Sequence, residues 1–319
     1  MKDRPPPVTR SLEELRAEGS RLRRGCTAAT TRYSYASDWG LFLDWCVPMK
    51  QLPLPCSPET LALYATDLLS RGHKVTTVER RCYGAAYVHK KRGLPSPFTP
   101  EVRSIIIGAQ RLTGEQPRQM RPLTVAQLSE ICGQLGKERT TIAIRDRAIM
   151  LLGFASALRR SNIAALLVSD IKFGAEGMTI QVRREKQDQT GRGRLIGLPR
   201  GKHVATDPCR AMEAWLALRG GGPGPLFVRL DTARPRGRSA LTPVAIWLIV
   251  KRCVRKIGLD PLLYGAHSLR AGLVTEAVER GVNELVIAAQ TGHRSLACLR
   301  RYFRPQDVFR ANACNSLGL

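Results

Sequence analysis

The feature that most constrains the fold is a change of hydrophobic period across a polar segment, residues 113–122 (TGEQPRQMRP), which contains two prolines. Before this segment, apolar residues recur at helical spacing. After it, helical stretches are interrupted by short runs that alternate or are β-branched, which is typical of strands. The chain has 319 residues, and single cores stop growing near ~250–300 residues. Residues 113–122 are therefore predicted to link two domains.

The first domain, residues 26–112, is predicted to be entirely helical and to follow a flexible basic arm of residues 1–25. Thr27 or Thr30 is predicted to cap its first helix, and Ser57 with Pro58 favours the start of the second. The predicted helices span about 27–46, 58–71, 75–92 and 99–113.

Aromatic residues recur at helical spacing in the first of these helices, at Tyr35, Trp39, Phe42 and Trp45 or Cys46. Such a stripe is typical of a core-facing side, although aromatic rings can also stack on nucleic-acid bases. We interpret it as core packing.

The second domain, residues 123–305, is predicted to be helical around a small three-stranded sheet, so the whole chain belongs to the mainly α, α+β class. Residues 306–319 are predicted to form a tail that could dock on a neighbouring protomer. The predicted strands lie within VSDIKF (168–173), GMTIQVRR (177–184) and RLIGLP (194–199), and the later helices lie near 207–219, 242–257, 266–281, 283–291 and 295–303.

A formal net charge of +25 indicates a polyanionic partner. Each Lys or Arg docked on a phosphate releases condensed counterions, which favours binding. Both halves of the chain are basic, so both domains are expected to face the same polyanion. Charge alone leaves DNA, RNA and an unspecific basic surface open.

The nine cysteines are scattered, and neither CxxC nor zinc-finger spacing occurs. They are expected to be reduced, mostly buried thiols in a cytoplasmic protein. The N-terminal sequence lacks the apolar region of a signal peptide, and no run of about 18 apolar residues occurs, so no membrane partner is expected.

The C-terminal third contains a set of residues suited to phosphodiester chemistry. Such chemistry needs a nucleophile, cations that neutralise the transition state, and an acid for the leaving oxygen. Arginine suits the cationic role because its planar fork meets two phosphate oxygens. The candidate catalytic residues are Arg159, Lys186, His267, Arg270, His293 and Tyr302.

The order and spacing of these residues resemble the signature of the tyrosine recombinase (phage integrase) family. HSLRAG is similar to the family's HxxR box, TGHRS to its (L/T)GH box, and LRRYFRP carries a tyrosine nine residues after His293. SALRRSN is similar to the first box, usually T-G-L-R-x-S-E, and Lys186 matches the family lysine on a β-hairpin. The resemblance covers roughly residues 26–305.

The resemblance implies a helical, SAM-like core-binding domain followed by a mixed α/β catalytic domain. It also implies a reaction: Tyr302 attacks DNA to form a 3′-phosphotyrosine and a free 5′-hydroxyl. Arg159 and Arg270 would clamp the scissile phosphate, and Lys186 would protonate the leaving oxygen. His267 would assist proton transfer at Tyr302, and His293 would hydrogen-bond the phosphate or buttress the site. Neither ATP, a metal nor another cofactor is expected.

One position departs from the family pattern. The first box usually has an acidic residue three positions after its arginine, and here that residue is Asn162. An amide both donates and accepts hydrogen bonds, so activity is expected, with a different local network.

The family implies a partner and an assembly. Protomers would bind double-stranded DNA at inverted-repeat half-sites, associate into dimers and a tetramer, and exchange strands through a Holliday junction in the nucleoid. Integration, excision and inversion remain open as outcomes. Two alternatives stay open: a catalytically inactive DNA-binding regulator on the same scaffold, and a type IB topoisomerase or telomere resolvase.

Overall fold

The computed structural model describes residues 10–114, 119–183, 193–230, 239–293, 295 and 299. The chain divides into two compact units between residues 117 and 118, and each unit is described by itself. Within the described residues, no helix combines the length and the apolar character needed to cross a membrane.

Unit 1 is helical over residues 26–112, as the sequence predicts, and a further helix lies within residues 1–25, which the sequence analysis assigns to a flexible arm. The second predicted start is confirmed: Ser57 is the N-cap, its side chain accepts from the N–H of Thr60, and Pro58 opens the helix. The prediction that Thr27 or Thr30 caps the preceding helix is wrong, because Ala28 occupies the N-cap without a side-chain bond. The helices are α1 (Leu12–Gly25), α2 (Ala29–Cys46), α3 (Pro58–Ser70), α4 (Val75–Lys91) and α5 (Pro100–Thr113).

An aromatic cluster forms the core of unit 1, which supports the core interpretation of the stripe on α2. Phe42 is fully buried and lies 5.0 Å from Tyr64 between ring centroids. Trp45 lies 5.2 Å from the same tyrosine and donates its indole N–H to Asp67 at 2.9 Å. Buried indoles need such an acceptor. The aromatic residues of this stripe therefore pack inside unit 1.

Unit 2 carries seven helices and three strands among its described residues. The apolar stretch after residue 139 forms α7, which is buried along most of its length and packs against α6, α9 and α11. The helices are α6 (Val125–Glu138), α7 (Thr141–Ser156), α8 (Arg160–Ala165), α9 (Pro208–Arg219), α10 (Pro243–Arg255), α11 (Ala266–Glu279) and α12 (Glu284–Thr291).

The small sheet is antiparallel with strand order β1–β2–β3, where the strands are β1 (Ile171–Phe173), β2 (Gly177–Val182) and β3 (Arg194–Pro199). The register pairs Val182 with Arg194 at the end of the two strands that leads into their connection. Its first strand is shorter than predicted. Residues 168–170 form a 3₁₀ turn instead, because the Asp170 carboxylate accepts the N–H of Leu167 at 2.8 Å.

Two glycines allow α11 to lie close to its neighbours. A Cβ on Gly272 would stand 2.1 Å from the carbonyl oxygen of Leu123, and one on Gly153 would stand 2.7 Å from a methyl group of Leu269. Contacts this short are sterically forbidden, so glycine sets the distance between α11, α7 and the start of unit 2. This close packing fixes the helix that carries two of the candidate site residues.

The seven described cysteines are free thiols, and all except Cys26 are buried. Burial raises the pKa of Cys56, Cys82 and Cys132, because a thiolate loses solvation inside the protein. The expectation of reduced, mostly buried thiols is confirmed for this part of the chain.

Candidate active site

Arg159 lies in a tight connection between two helices. Helix α7 ends at Ser156, Ala157 takes the left-handed conformation with φ 50°, and Arg159 is the N-cap of α8 with extended φ and ψ. Nη1 of Arg159 is buried and has no hydrogen-bond acceptor among the described residues. A buried donor of this kind is favourable only when an acceptor is supplied.

Asn162, which stands where the family usually has an acidic residue, is buried one turn along α8. Its backbone N–H donates to the Arg159 carbonyl oxygen at 2.8 Å. The position is therefore interior and close to Arg159, although its side chain carries no formal charge.

Helix α11 presents His267 and Arg270 one turn apart on the same face. Arg270 is only 1% exposed, and its guanidinium is held by backbone carbonyls. Nη1 donates to the carbonyl oxygens of Ala157 and Thr291, each at 2.8 Å. The first of these acceptors lies two residues from Arg159, so this contact brings the two arginine-bearing segments together.

His293 follows the end of α12, where Gly292 adopts φ 71° and turns the chain. Nη2 of Arg270 lies 2.8 Å from Nε2 of His293. On the other side of the ring, Nδ1 lies 2.7 Å from the hydroxyl of Thr291. The imidazole is half-buried and hydrogen-bonded at both nitrogens.

The protonated, cationic form is disfavoured for both His267 and His293. Burial lowers the pKa of His293 to about 4, and the charges of Arg270 and Arg159 add to this effect. The pKa of His267 is also lowered, first by desolvation and then by Arg270 and Arg159, although its side chain is exposed. The two rings are therefore neutral near pH 7, and the site's positive charge resides on arginines.

The structure thus brings together four of the six predicted residues: Arg159, His267, Arg270 and His293. Lys186 and Tyr302 lie outside the described residues. The lysine falls in the connection between β2 and β3, whose ends are set by the pairing of Val182 with Arg194.

Leu299, three residues before Tyr302, is fully buried and packs with Val274 and Ile287. These partners belong to α11 and α12. Leu299 is therefore anchored on the two helices that carry Arg270 and precede His293.

Two contributing residues were missed from the sequence. Thr291 holds His293 through its hydroxyl and Arg270 through its carbonyl oxygen. Arg194 donates to the carbonyl oxygens of Gln290 at 2.8 Å and Ala289 at 3.4 Å, and its charge contributes to the lowered pKa of His293. The threonine was visible as the first letter of TGH, whereas the arginine gave no local signal.

Within residues 10–114, 119–183, 193–230 and 239–293, no group of three His, Cys, Asp or Glu side chains has a geometry that could hold a metal ion. The cationic groups of the described site are guanidiniums.

Comparison with known proteins gives consistent matches over the fold and the site. The model of the phage integrase family matches residues 120–308. An integrase/recombinase xerD homolog from Selenomonas ruminantium is 31% identical, covering 96% of this chain and 90% of its own length.

Solved structures agree in fold. XerH site-specific recombinase bound to a palindromic difH substrate gives a TM-score of 0.57 at 19% identity, covering 80% of this chain and 70% of that chain. A lambda integrase dimer bound to a COC′ core site gives a TM-score of 0.57 at 18% identity, covering 91% and 76%.

Together, these matches define the class of protein: a tyrosine-type DNA strand transferase that performs site-specific recombination. The chain belongs to the phage integrase family. The predicted family, the mainly helical fold with a small antiparallel sheet, and the enzymatic class are confirmed.

Proposed function

We propose that this enzyme cleaves and rejoins DNA through a covalent 3′-phosphotyrosine at Tyr302, within a site formed by Arg159, Lys186, His267, Arg270 and His293. The observation that carries the proposal is the buried Nη1 of Arg159, which has no acceptor among the described residues. Arg270 donates to the carbonyl oxygen of Ala157, two residues before Arg159, and the lowered pKa values of both histidines favour neutral imidazoles. An anion such as a phosphate oxygen would satisfy this donor.

The reaction balances with these groups alone. The phenolic oxygen of Tyr302 attacks phosphorus and forms a P–O bond, and its proton passes to His267. The bond to the 5′ oxygen breaks, and Lys186 donates a proton to that oxygen. The two arginines stabilise the extra negative charge in the transition state. Attack by a 5′-hydroxyl on the phosphotyrosine reverses these steps, so the bond energy is retained without ATP.

The assembly we propose is a pair of protomers on inverted half-sites and a tetramer that exchanges strands through a Holliday junction, integrating, excising or inverting DNA. Two solved neighbours support this arrangement: one is a recombinase on a palindromic substrate, and the other is a dimer on a core site. We place this activity at the nucleoid, in the cytoplasm.

A nicked suicide substrate tests the chemistry. The substrate is built from inverted repeats in the DNA that flanks the gene, with a nick close to the cleavage site so that the released fragment diffuses away. Wild-type protein is expected to accumulate a covalent protein–DNA adduct that resists denaturant. Tyr302→Phe removes one hydroxyl and is expected to abolish the adduct.

The matched control is Tyr33→Phe, since Tyr33 is 80% exposed on α2 and is not in the proposed site. This variant is expected to form the adduct at the wild-type rate. An adduct that persists in Tyr302→Phe would show that another residue is the nucleophile. Product topology on an intact plasmid then separates recombination from simple relaxation.

The tail, residues 306–319, is proposed to dock on a neighbouring protomer. Deleting residues 308–319 is expected to leave single-site DNA binding intact while abolishing the synapsis of two sites, as measured by gel shift with one and with two labelled sites. Full synapsis by the truncated protein would contradict this role.

A further inference from the structure

The hydrogen bonds around His293 determine which ring nitrogen carries the proton. A guanidinium has donors and no acceptor, so Nε2 of His293, 2.8 Å from Nη2 of Arg270, must accept. A neutral imidazole holds one proton, and that proton must then lie on Nδ1. The acceptor for it is the Thr291 hydroxyl at 2.7 Å.

The bonds of Thr291 agree with this direction. Its hydroxyl lies 2.6 Å from the carbonyl oxygen of Ile287, which can only accept. The single hydroxyl proton therefore points to Ile287, and the oxygen lone pairs face His293. Thr291 is fully buried, so water does not compete for these bonds. Arg270 therefore donates to Nε2 of His293, Nδ1–H of His293 donates to the Thr291 hydroxyl, and that hydroxyl donates to the carbonyl oxygen of Ile287.

We infer that Thr291 is a positioning residue that holds His293 in the Nδ1–H tautomer, so that His293 orients Arg270 by accepting its hydrogen bond. The same residue acts twice, because the carbonyl oxygen of Thr291 accepts Nη1 of Arg270 at 2.8 Å. Arg270 is thereby fixed at both terminal nitrogens by two groups that are two residues apart.

The family resemblance implies that His293 either hydrogen-bonds the phosphate or buttresses the site, and the tautomer decides between these two roles. In the Nδ1–H tautomer, Nε2 has a lone pair and cannot donate to a phosphate oxygen. His293 therefore buttresses the arginine in the DNA-free enzyme. Its low pKa is consistent with this role, since a proton on Nε2 would point at a guanidinium.

Nitrogen-15 NMR of the full-length protein tests the tautomer directly. The protein is labelled at its five histidines, and the His293 signals are assigned from their loss in His293→Gln. In wild-type protein near pH 7, Nδ1 is expected to show the shift of a protonated nitrogen and Nε2 that of an unprotonated one. The opposite pattern in the wild type would overturn the inference without any variant.

Three variants then test the part played by Thr291. Thr291→Val removes the hydroxyl with little change of shape and leaves Nδ1–H without an acceptor. The ring is therefore expected to lose its contact with Arg270 and to shift towards the Nε2–H form or a mixture. Thr291→Ser keeps the hydroxyl and is expected to retain the wild-type pattern. Thr275→Val is the matched control, since Thr275 is another buried threonine on the neighbouring helix α11.

Activity provides the second measurement, which rests on the proposed function of the site. Loss of one buried hydrogen bond is worth roughly 1 kcal/mol, so Thr291→Val is expected to slow adduct formation about five- to tenfold. Thr291→Ser and Thr275→Val are expected to stay within about twofold of wild type. An unchanged tautomer and rate in Thr291→Val would refute the positioning role.

The two proposals fail in distinguishable ways. Absence of any adduct dependent on Tyr302 in wild-type protein would refute the proposed chemistry, while the NMR pattern would still report the tautomer. A wrong tautomer with normal Tyr302 chemistry would refute only the role of Thr291.

Discussion

Ala157 occupies a backbone conformation that suits glycine better. It ends α7 with φ 50°, and its carbonyl oxygen accepts Nη1 of Arg270. The family's first box usually has glycine at the corresponding position of SALRRSN. A left-handed conformation costs a residue with a Cβ roughly 1 kcal/mol relative to glycine. The residue therefore carries local strain at a point where the site is assembled.

Ala157→Gly is expected to raise the free energy of unfolding by about 0.5–1 kcal/mol, because it removes this strain. Ala148→Gly, in the middle of α7, is the control and is expected to lower it by about 1 kcal/mol or more. Chemical denaturation of the three proteins measures both changes. Equal destabilisation by the two substitutions would contradict the argument.

His293 makes stability depend on pH. Its pKa is lowered from 6.5 to about 4 in the folded protein, so the unfolded chain binds more protons between these values. The free energy of unfolding is therefore expected to fall as pH drops from about 6.5 to about 4. The full shift would correspond to about 3 kcal/mol, and solvent screening of this half-buried ring reduces the expected change to roughly 2 kcal/mol. Stability above pH 6.5 should not depend on this ionisation.

The measurement is denaturant unfolding at several pH values, compared with His293→Gln. Glutamine keeps an acceptor for Arg270 but does not titrate, so its stability curve is expected to be flatter over this range. Carboxylates and His267 titrate in both proteins, and their effects cancel in the difference. Parallel curves would contradict the assignment.

At the scale of elements, the position of α11 depends on a glycine. Since a Cβ on Gly272 would meet the Leu123 carbonyl oxygen at 2.1 Å and the Phe154 ring at 2.7 Å, backbone would have to move. Gly272→Ala is expected to destabilise the protein by about 1–3 kcal/mol or more through overpacking. It should also slow cleavage, because α11 carries Arg270.

The control for this substitution is Gly133→Ala in α6. Gly133 is exposed, and a Cβ there meets nothing within 4 Å. Alanine is the better helix former, so this variant is expected to gain about 0.5–1 kcal/mol. Thermal or chemical melts of both variants provide the test, and a neutral Gly272→Ala would show that α11 can shift freely.

Local chemistry made much of the element structure predictable. Ser57 and Pro58 indicate the start of α3, and runs of period two indicate the strands of the sheet. Two predictions were wrong. The helix α2 begins at an N-cap, Ala28, that makes no side-chain hydrogen bond, and residues 168–170 form a turn because the Asp170 carboxylate accepts the N–H of Leu167.

The sequence predicted which residue types form the site, but it did not predict which of them contact one another. HxxR and TGH could be recognised in the sequence, whereas the bond from Arg270 to Ala157 joins residues 113 apart, and that from Arg194 to Gln290 joins residues 96 apart. Periodicity reports only near neighbours, so such contacts appear only once the helices have packed.

At the scale of the whole molecule, the net positive charge is expected to dominate the affinity for DNA. A net charge of +25 predicts DNA binding that weakens steeply with salt. If protomers contact 6–10 phosphates, affinity is expected to fall about 10³–10⁵-fold between 50 and 200 mM salt. Fluorescence anisotropy with labelled duplex DNA measures the slope. A nearly flat dependence would exclude extensive phosphate contacts.

The last turn of α12 has a consequence for how the catalytic centre is assembled. The carbonyls of Ala289, Gln290 and Thr291 form the negative pole of this helix, and they receive guanidinium groups from β3 and α11. Unwinding that one turn would remove the Ala289 and Gln290 acceptors of Arg194 and the Thr291 acceptor of Arg270 at the same time, while the bond from Arg270 to Ala157 would remain. The positions of the two cations are therefore expected to be coupled through this turn, rather than set independently.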